Sequence, residues 1–255
     1  MGLPKIAVPE YTLLLPSTGK EYKYRPFLVK EEKILLIAME SEDEEQIMDA
    51  TINIIKNCVV GELDIDNLPM FDIEYIFLQL RGKAKGERIE LKYKCPKCEG
   101  QIPLGINIDN IKVITKEGHS TKIELQDNLG IVMKYPNITI QKKLSEYQVD
   151  KEDDKVVIEG LFETIIHCID YIYDAESTYP AKDHTEKELT EFLESLNDDQ
   201  FQQISKFFET SPALKHEVEL HCKNQKETKS KGKETKKVCN YKEKITLEGL
   251  ASFFE

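Results

Sequence analysis

The sequence lacks any apolar run near the roughly 20 residues that a membrane-spanning helix needs, and it lacks a signal-peptide pattern at its N-terminus. We therefore expect a protein that neither spans a membrane nor is exported. Six cysteines are present without a secretory signal. This combination indicates a reducing compartment, and it favours metal binding or buried packing over disulfide bonds.

The motifs of common enzyme classes are missing too. The chain has no Gly-x-Ser-x-Gly, no Gly-x-x-x-x-Gly-Lys-Ser/Thr and no Gly-x-Gly-x-x-Gly, and none of its five histidines lies four residues from another. The acidic groups at 40–45 and 150–154 lack the ligand pattern of a calcium loop and are interpreted as helix caps and solvated loops. We expect no catalytic residues, no small-molecule substrate and no enzyme.

Acidic residues outnumber basic residues, 47 to 35. The formal net charge is -12 at pH 7, and phosphate contacts need Lys and Arg. The charge balance therefore counts against general nucleic-acid binding. It leaves open a local basic contact through the lysine-rich stretch 223–237, although a solvated loop is the simpler interpretation.

What the sequence does contain is a Cys-x-x-Cys motif made by Cys95 and Cys98, with Gly100 behind it. This spacing is typical of the tight knuckle turn that points two sulfurs at one tetrahedral zinc ion. Extended patterns at 93–94 and 101–108 predict that the motif lies at the tip of a hairpin. A redox-active motif would instead open a helix behind a strand, where the helix dipole lowers the thiol pKa.

Two later cysteines, Cys222 and Cys239, can complete the site. The stretch 223–237 between them has seven Lys, two Glu and no apolar residue, so we expect it to loop out and leave the two cysteines close. The predicted ligands of one structural zinc ion are Cys95, Cys98, Cys222 and Cys239. Two alternatives stay open: zinc held by fewer thiolates or completed by His221, and a first cysteine pair that stands alone with redox chemistry or no role.

The other candidate ligands are expected to be structural. Cys58 and Cys168 fall on apolar helix stripes, which favours buried packing over reactivity. His167 lies on an apolar helix and is interpreted as a partly buried, satisfied residue and not as a ligand. A four-thiolate zinc site is closed to substrate and water, so the predicted metal serves the fold.

The N-terminal part combines a hairpin with three helices. Turn residues between two extended runs predict the hairpin over 11–25, behind an arm at 1–7. The predicted helices cover 29–39, a segment that begins at the capping-box pair Ser41 and Glu44, and 72–80. The first helix is expected to place Ile34, Leu35 and Ala38 on one face.

The third helix is expected to have Asp72 as its N-cap and either Gly82 or Gly86 as its stop. Its predicted apolar stripe comprises Ile73, Ile76, Phe77 and Leu80. Such a stripe usually faces the core of its own domain.

The middle region has a pattern of its own. Alternating apolar runs predict a small antiparallel sheet from 111–115, 121–125 and 130–135. The helices predicted after it cover 139–147, 156–173, 183–194 and 197–208. Extended runs at 217–221 and 244–247, next to the two later cysteines, are expected to pair as antiparallel strands.

Together these elements predict an α+β fold. It consists of an N-terminal hairpin and three helices, a zinc-ribbon-like β unit, and an inserted small antiparallel sheet followed by a helical segment. The corresponding domains are 1–92, a ribbon formed by 93–110 and 214–255, and an insertion at 111–213.

Four segments, in order along the chain, resemble a known family. They are YRPFLVKEEKILL at 24–36, DIEYIFLQLR at 72–81, the Cys95 knuckle, and ITLEGLASFF at 245–254. The set resembles the baseplate protein family of T-even-like contractile-tailed bacteriophages, which includes the baseplate hub subunit and the hub assembly catalyst. The wide spacing of Cys222 and Cys239 departs from the closely spaced closing cysteines of that family.

The resemblance implies a non-enzymatic structural or assembly role in the tail baseplate, with other baseplate proteins as partners. The implied location is the virion, or the host bacterial cytoplasm during assembly. The terminal Phe253 and Phe254 are candidate contacts with a partner or with the chain itself. The alternative hypothesis is a zinc-ribbon nucleic-acid-binding or transcription-type module, which would bind with a steep salt dependence through the lysine-rich insertion.

Overall fold

The computed structural model describes residues 6–145, 154–230 and 233–249, and it confirms the predicted α+β class. The helices are α1 (Val29–Glu40), α2 (Glu44–Cys58), α3 (Met70–Lys85), α4 (Ile138–Ser145), α5 (Asp154–Cys168), α6 (Glu186–Glu194) and α7 (Asp198–Thr210). The strands are β1 (Tyr11–Leu14), β2 (Glu21–Tyr24), β3 (Val59–Val60), β4 (Arg88–Lys94), β5 (Gln101–Asn107), β6 (Lys112–Ile114), β7 (Lys122–Gln126), β8 (Leu129–Met133), β9 (Ile169–Tyr173), β10 (Thr178–Pro180), β11 (Ala213–His221), β12 (Gln225–Ser230), β13 (Lys233–Val238) and β14 (Lys242–Glu248). None of the helices in the described ranges is long and apolar enough to cross a membrane.

The chain divides into two compact units. The first unit comprises Met1–Glu62, Glu74–Ile114 and Ala213–Glu255, and the second unit comprises Leu63–Ile73 and Thr115–Pro212. All four cysteines of the predicted metal site therefore belong to the first unit. The three-part division predicted from the sequence stays a prediction.

The predicted N-terminal hairpin is confirmed. β1 and β2 pair antiparallel with Tyr11 opposite Tyr24, and β3 adds a third strand beside β2. Arg25 then holds the start of α1, because its guanidinium donates to the Glu31 carboxylate at 2.9 Å while the same carboxylate accepts the Leu28 N–H. A buried carboxylate with these donors fixes the entry into the helix.

The first helix buries a narrow stripe. Leu35 and Ala38 are buried, whereas Ile34 is 48% exposed. The next helix, α2, presents a full apolar stripe that includes Ile54 and Ile55.

The predicted start of α2 is wrong. Asp43, not Ser41, is the N-cap, and its carboxylate accepts the N–H groups of Glu45 and Gln46. The Ser41 hydroxyl instead donates to the Ala38 carbonyl at 2.7 Å, at the end of α1. Two cap-forming residues compete in this short connection, and the charged acceptor binds the free N–H groups of a helix start more strongly.

α3 is longer than predicted at both ends. It begins at Met70, after Pro69, so Asp72 lies inside the first turn, fully buried, and is not the N-cap. The predicted core stripe is confirmed, with buried Ile73, Ile76, Phe77 and Leu80. Gly86 is the stop, because it adopts a φ of 101° and its N–H donates to the Gly82 carbonyl at 3.0 Å.

Two small sheets form the ribbon part of the first unit. β4 and β5 make a hairpin, and β11 lies between β14 and β6 in a separate sheet. The predicted pairing of the two extended runs beside the later cysteines is confirmed, with Val218 opposite Ile245. One apolar core of this region comprises Leu78, Ile89, Leu91, Ile106, Ile108, Ile111 and Leu214.

The second unit contains a four-stranded sheet in the order β10-β9-β8-β7. The sequence predicts 111–115 as part of this sheet, which is wrong, because β6 pairs with β11 through Val113 and Leu214. The end of the helix predicted at 156–173 is also wrong, since α5 stops at Cys168 and β9 pairs with β8. The sequence Ile-Asp-Tyr-Ile-Tyr of β9 suits a strand, although its apolar spacing also fits a helix.

The helices predicted for the rest of the second unit are confirmed, with shifted ends. Thr185 caps α6 and Asn197 caps α7, each in a capping box. The core of the unit comprises Ile123, Leu125, Ile131, Met133, Ile140, Ile165, Ile166, Cys168, Ile169, Ile172, Leu189, Leu193, Ile204 and Phe207.

The lysine-rich insertion forms two paired strands, contrary to the prediction of an irregular solvated loop, but it leaves Cys222 and Cys239 close, as expected. β12 and β13 pair antiparallel, with Gln225 opposite Val238 and Ser230 opposite Lys233. A hairpin satisfies its backbone hydrogen bonds without an apolar core, so composition alone does not exclude it. Four predictions fall wholly or partly outside the described residues: the arm at 1–7, the helix end at 146–147, the role of the acidic group at 150–154, and the contacts of Phe253 and Phe254.

Candidate metal centre

The first half of the candidate centre is the turn between β4 and β5. The Cys95 N–H donates to the Gly100 carbonyl at 2.9 Å, and the Glu99 N–H donates to the Cys95 carbonyl at 2.8 Å. Glu99 adopts a left-handed conformation with a φ of 60°. The predicted hairpin-tip location is confirmed, and it differs from the helix start at which redox Cys-x-x-Cys motifs lie.

The second half lies where β11 ends and β14 begins. The Cys222 N–H donates to the Tyr241 carbonyl at 2.8 Å, and the Cys239 N–H donates to the Asn224 carbonyl at 2.9 Å. Asn240 adopts a left-handed φ of 52°. The β12–β13 hairpin is thus inserted between Asn224 and Cys239, and the residues on either side of it repeat a Cys-x-x-Cys spacing.

The four sulfur atoms converge, as predicted, and all lie within 4.8 Å of one another. The Sγ atoms of Cys98 and Cys222 are 3.5 Å apart, and those of Cys95 and Cys239 are 3.8 Å apart. A tetrahedral zinc ion with Zn–S bonds of about 2.3 Å places its sulfurs about 3.8 Å apart. A disulfide bond would require an S–S distance of about 2.05 Å. The donor set and its spacing therefore fit one tetrahedral, thiolate-bound ion.

A small apolar core supports the sulfurs. Its buried members are Cys95, Ile102, Leu220 and Cys222, and the partly buried side chains against it are Cys98, Leu104, Cys239, Tyr241 and Ile245. Each half thus contributes one buried and one partly buried cysteine. Rigid packing of this kind holds ligands in place before an ion binds.

The electrostatics of the thiols differ. A hydrogen bond from the Gly100 backbone N–H lowers the pKa of Cys98 to about 7. Burial raises the pKa of Cys222 to about 12, and burial also raises the pKa of Cys239. Four thiolates so close together need a compensating cation, which a divalent ion supplies.

A polar contact outside the cysteines joins the two halves. The Asn224 side-chain amide donates to the Gln101 carbonyl at 3.0 Å. A Cβ on Gly100 would collide with the Asn224 side chain, whose Cγ would lie 2.9 Å away. Gly100 therefore leaves the space that the second half occupies. Sequence reasoning missed the role of Asn224, and the glycine behind the first knuckle was the available signal.

The other residues considered from the sequence lie elsewhere. Within the described part of the chain, the converging group contains the four cysteines and does not include His221. Cys58 and Cys168 are buried as predicted, and burial raises their pKa values to about 11 and about 12. Thiols of this kind are inert packing residues.

A second group of metal-capable side chains lies in the second unit and was missed from the sequence. Ligand atoms of Glu163, His167 and Glu186 lie within 4.8 Å of one another. The Lys143 Nζ also approaches, at 3.5 Å from the His167 Nε2 and 3.6 Å from the Glu186 carboxylate. The His167 Nε2 lies 3.4 Å from the Glu163 carboxylate and 3.7 Å from the Glu186 carboxylate, so with Lys143 the group is an ion-pair network.

The comparisons with known proteins agree with the resemblance seen in the sequence. A family model described as T4 bacteriophage base plate protein matches residues 8–255. The chain belongs to this family. The matched range contains both halves of the cysteine cluster. No match was found among curated proteins or among solved structures.

Membership in the T4 base plate family gives the protein its general role. The family supports a structural role in a phage baseplate, interaction with other phage proteins and a place in the virion tail. Within this family fold, the cysteine cluster connects two hairpins that are distant in sequence, since 124 positions separate Cys98 from Cys222.

Proposed function

We propose that the protein is a non-enzymatic component of the baseplate hub, either as a structural subunit or as an assembly factor, and that one structural zinc ion stabilises it. The ligands are Cys95, Cys98, Cys222 and Cys239. The observation that carries the proposal is the convergence of four sulfurs, within 4.8 Å of one another, in a base plate family chain.

Zinc suits the site because of its donors. Four thiolates in tetrahedral array are a common structural zinc site, whereas magnesium and calcium prefer oxygen ligands. Such a site is coordinatively closed, so it offers neither a bound water nor a substrate position. This supports a role in folding and assembly, without catalysis.

The ion would connect the β4–β5 hairpin to the ends of β11 and β14. In the unfolded chain these segments are far apart, so bringing them together costs loop-closure entropy. Metal binding to the folded site offsets that cost, because the assembled ligand set exists only in the folded state. We propose that the ribbon formed by 93–110 and 214–255 is the part of the protein that depends on zinc.

The proposed partners are other baseplate proteins. The proposed location is the virion baseplate, or the host cytoplasm while the baseplate is being assembled. Mass spectrometry of purified particles separates the two roles: a subunit is present in stoichiometric amount, and a transient assembly factor is found in infected cells only. Stoichiometric presence in purified heads would contradict both roles.

Metal analysis of the purified protein tests the zinc site. We expect one zinc per chain, with loss of the metal in Cys98→Ser and in Cys239→Ser. Cys58→Ala is the matched control, because it removes a buried thiol outside the cluster and should keep the zinc. Salt-sensitive binding of DNA or RNA would favour the nucleic-acid alternative instead.

A further inference from the structure

α1 exposes far more apolar surface than its small buried stripe requires. Val29, Leu36 and Ile37 are 80%, 54% and 60% exposed, although they belong to a helix whose other side contributes Leu35 and Ala38 to the core. A helix that is apolar on both sides is typically covered on both sides. Such exposed groups mark binding surfaces when they are contiguous.

The exposed side chains share one face. At about 100° per residue, Val29, Lys33, Leu36, Ile37 and Glu40 point in similar directions, opposite to the buried stripe. We name these five residues the outer face of α1. Its centre is apolar, and a charged residue lies on each side of that centre.

The charges on the outer face have an unfavourable order for an isolated helix. Lys33 lies in the N-terminal half and Glu40 in the last turn, which has no basic residue. The helix dipole favours the opposite order, with acidic groups first and basic groups last. In the part of the chain that the structure describes, neither Lys33 nor Glu40 has an ion-pair partner.

We propose that the outer face of α1 binds the outer face of α1 in a second copy of the chain, with the two helices antiparallel. The two-fold axis passes between Leu36 and Ile37. In this register Leu36 packs on Ile37 of the second copy, and Lys33 lies opposite Glu40 of the second copy on both sides of the axis.

The charge pattern indicates that the partner of the outer face is a second copy of the chain. A two-fold contact brings the same patch to both sides, so a surface can use it only if it is complementary to itself. The outer face meets this condition, because reversing the helix places its lysine on its glutamate. The antiparallel arrangement also sets the lysine of each copy near the negative helix end of the other. The proposal is independent of the zinc site.

Sedimentation of the full chain at increasing concentration tests the contact. We expect the mass to rise from that of one 29.5 kDa chain to twice that value. Lys33→Glu should weaken the dimer by on the order of tenfold or more, since it creates two like-charge pairs. Lys33→Glu combined with Glu40→Lys should restore it, because the pairs then form in reverse. Lys116→Glu, which changes an exposed lysine in the second unit, should leave the dimer unchanged.

Replacing exposed leucines with glutamine provides a second test of the contact. Leu36→Gln should abolish the dimer, and Leu161→Gln, at a comparably exposed leucine on α5, should keep it. Circular dichroism checks that each variant is folded. A chain that stays monomeric at every concentration overturns the proposal and assigns the outer face to a different protein. A dimer that survives Leu36→Gln, or that the double charge reversal fails to restore, also overturns it.

Discussion

At the scale of single residues, Gly130 in β8 lies where the neighbouring backbone leaves no room for a side chain. A Cβ there would approach the Ile123 carbonyl oxygen to 2.5 Å and would collide with the Tyr173 hydroxyl. Gly130→Ala should therefore destabilise the second unit by about 2 kcal/mol or more, as measured by urea unfolding. A loss below the error of the measurement would contradict this packing.

Tyr173→Phe tests the role of the hydroxyl next to Gly130. The Tyr173 hydroxyl is buried without a hydrogen-bond partner among the described residues. Removing it should leave stability unchanged or slightly higher, because an unsatisfied buried polar group is lost. Since the backbone oxygen of Ile123 remains, the phenylalanine variant should not rescue Gly130→Ala.

His119 should make the stability of the second unit depend on pH. Its Nδ1 is 2.9 Å from the Thr210 hydroxyl, and that hydroxyl donates its own proton to the Lys206 carbonyl. The hydroxyl therefore accepts from His119, so Nδ1 is the protonated ring nitrogen. The other ring nitrogen, Nε2, accepts from the Tyr135 hydroxyl at 2.9 Å. Burial lowers the pKa of His119. The folded state therefore favours the neutral ring, and this contribution to stability is present above the unfolded pKa of about 6.5.

As pH falls below that value, the unfolded chain takes up a proton that the folded ring resists, and stability is lost. His119→Gln should lower stability at neutral pH by about 1 kcal/mol through lost hydrogen bonds. It should also reduce the drop in unfolding free energy on acidification. Unfolding curves at pH values above and below about 6.5 measure this difference. An equal or steeper drop in the variant would show that His119 is not the group responsible.

Among the elements, the β12–β13 hairpin is an insertion that contributes no cysteine to the cluster. Its first pair is Gln225 opposite Val238, and the cysteines are held by β11, β14 and the first knuckle. Replacing residues 226–237 with Asn-Gly should close the same pair with a two-residue turn and keep the zinc. We expect unchanged metal content and thiol protection. Loss of the metal on this replacement would mean that the hairpin helps to build the site.

Much of the fold and site follows from local patterns. The Cys95 and Cys98 knuckle, its hairpin and the pairing of the strands beside Cys222 and Cys239 can be predicted because spacing and alternation are local signals. The sequence cannot show that β6 joins β11, since that pairing depends on contacts between distant segments. The same holds for Asn224, whose partner lies in the other knuckle.

Other errors come from competing local signals. Ser41 and Asp43 are both good caps, and only the observed hydrogen bonds decide between them. The residues of β9 fit a helix by apolar spacing and a strand by side-chain type, and pairing with β8 decides. A charge-rich composition does not prevent the insertion between Cys222 and Cys239 from forming strands.

In the molecule as a whole, we expect metal removal to destabilise one of the two units. The four cysteines belong to the first unit, whereas the core of the second unit is formed by its own sheet and helices. A zinc chelator should lower the stability of the first unit by at least about 3 kcal/mol, because the binding free energy of the proposed ion would be lost. Hydrogen exchange should show faster exchange in β4, β5, β11 and β14, and little change in β7 to β9. Uniform loss of protection would contradict a local role for the ion.

We propose that thiolates from two distant segments bind one zinc ion. Zinc K-edge X-ray absorption of the purified full chain tests this coordination. We expect one zinc per chain with four sulfur neighbours at about 2.3 Å. A shell containing nitrogen or oxygen, fewer than four sulfurs, or a purified folded chain with no bound zinc would contradict it.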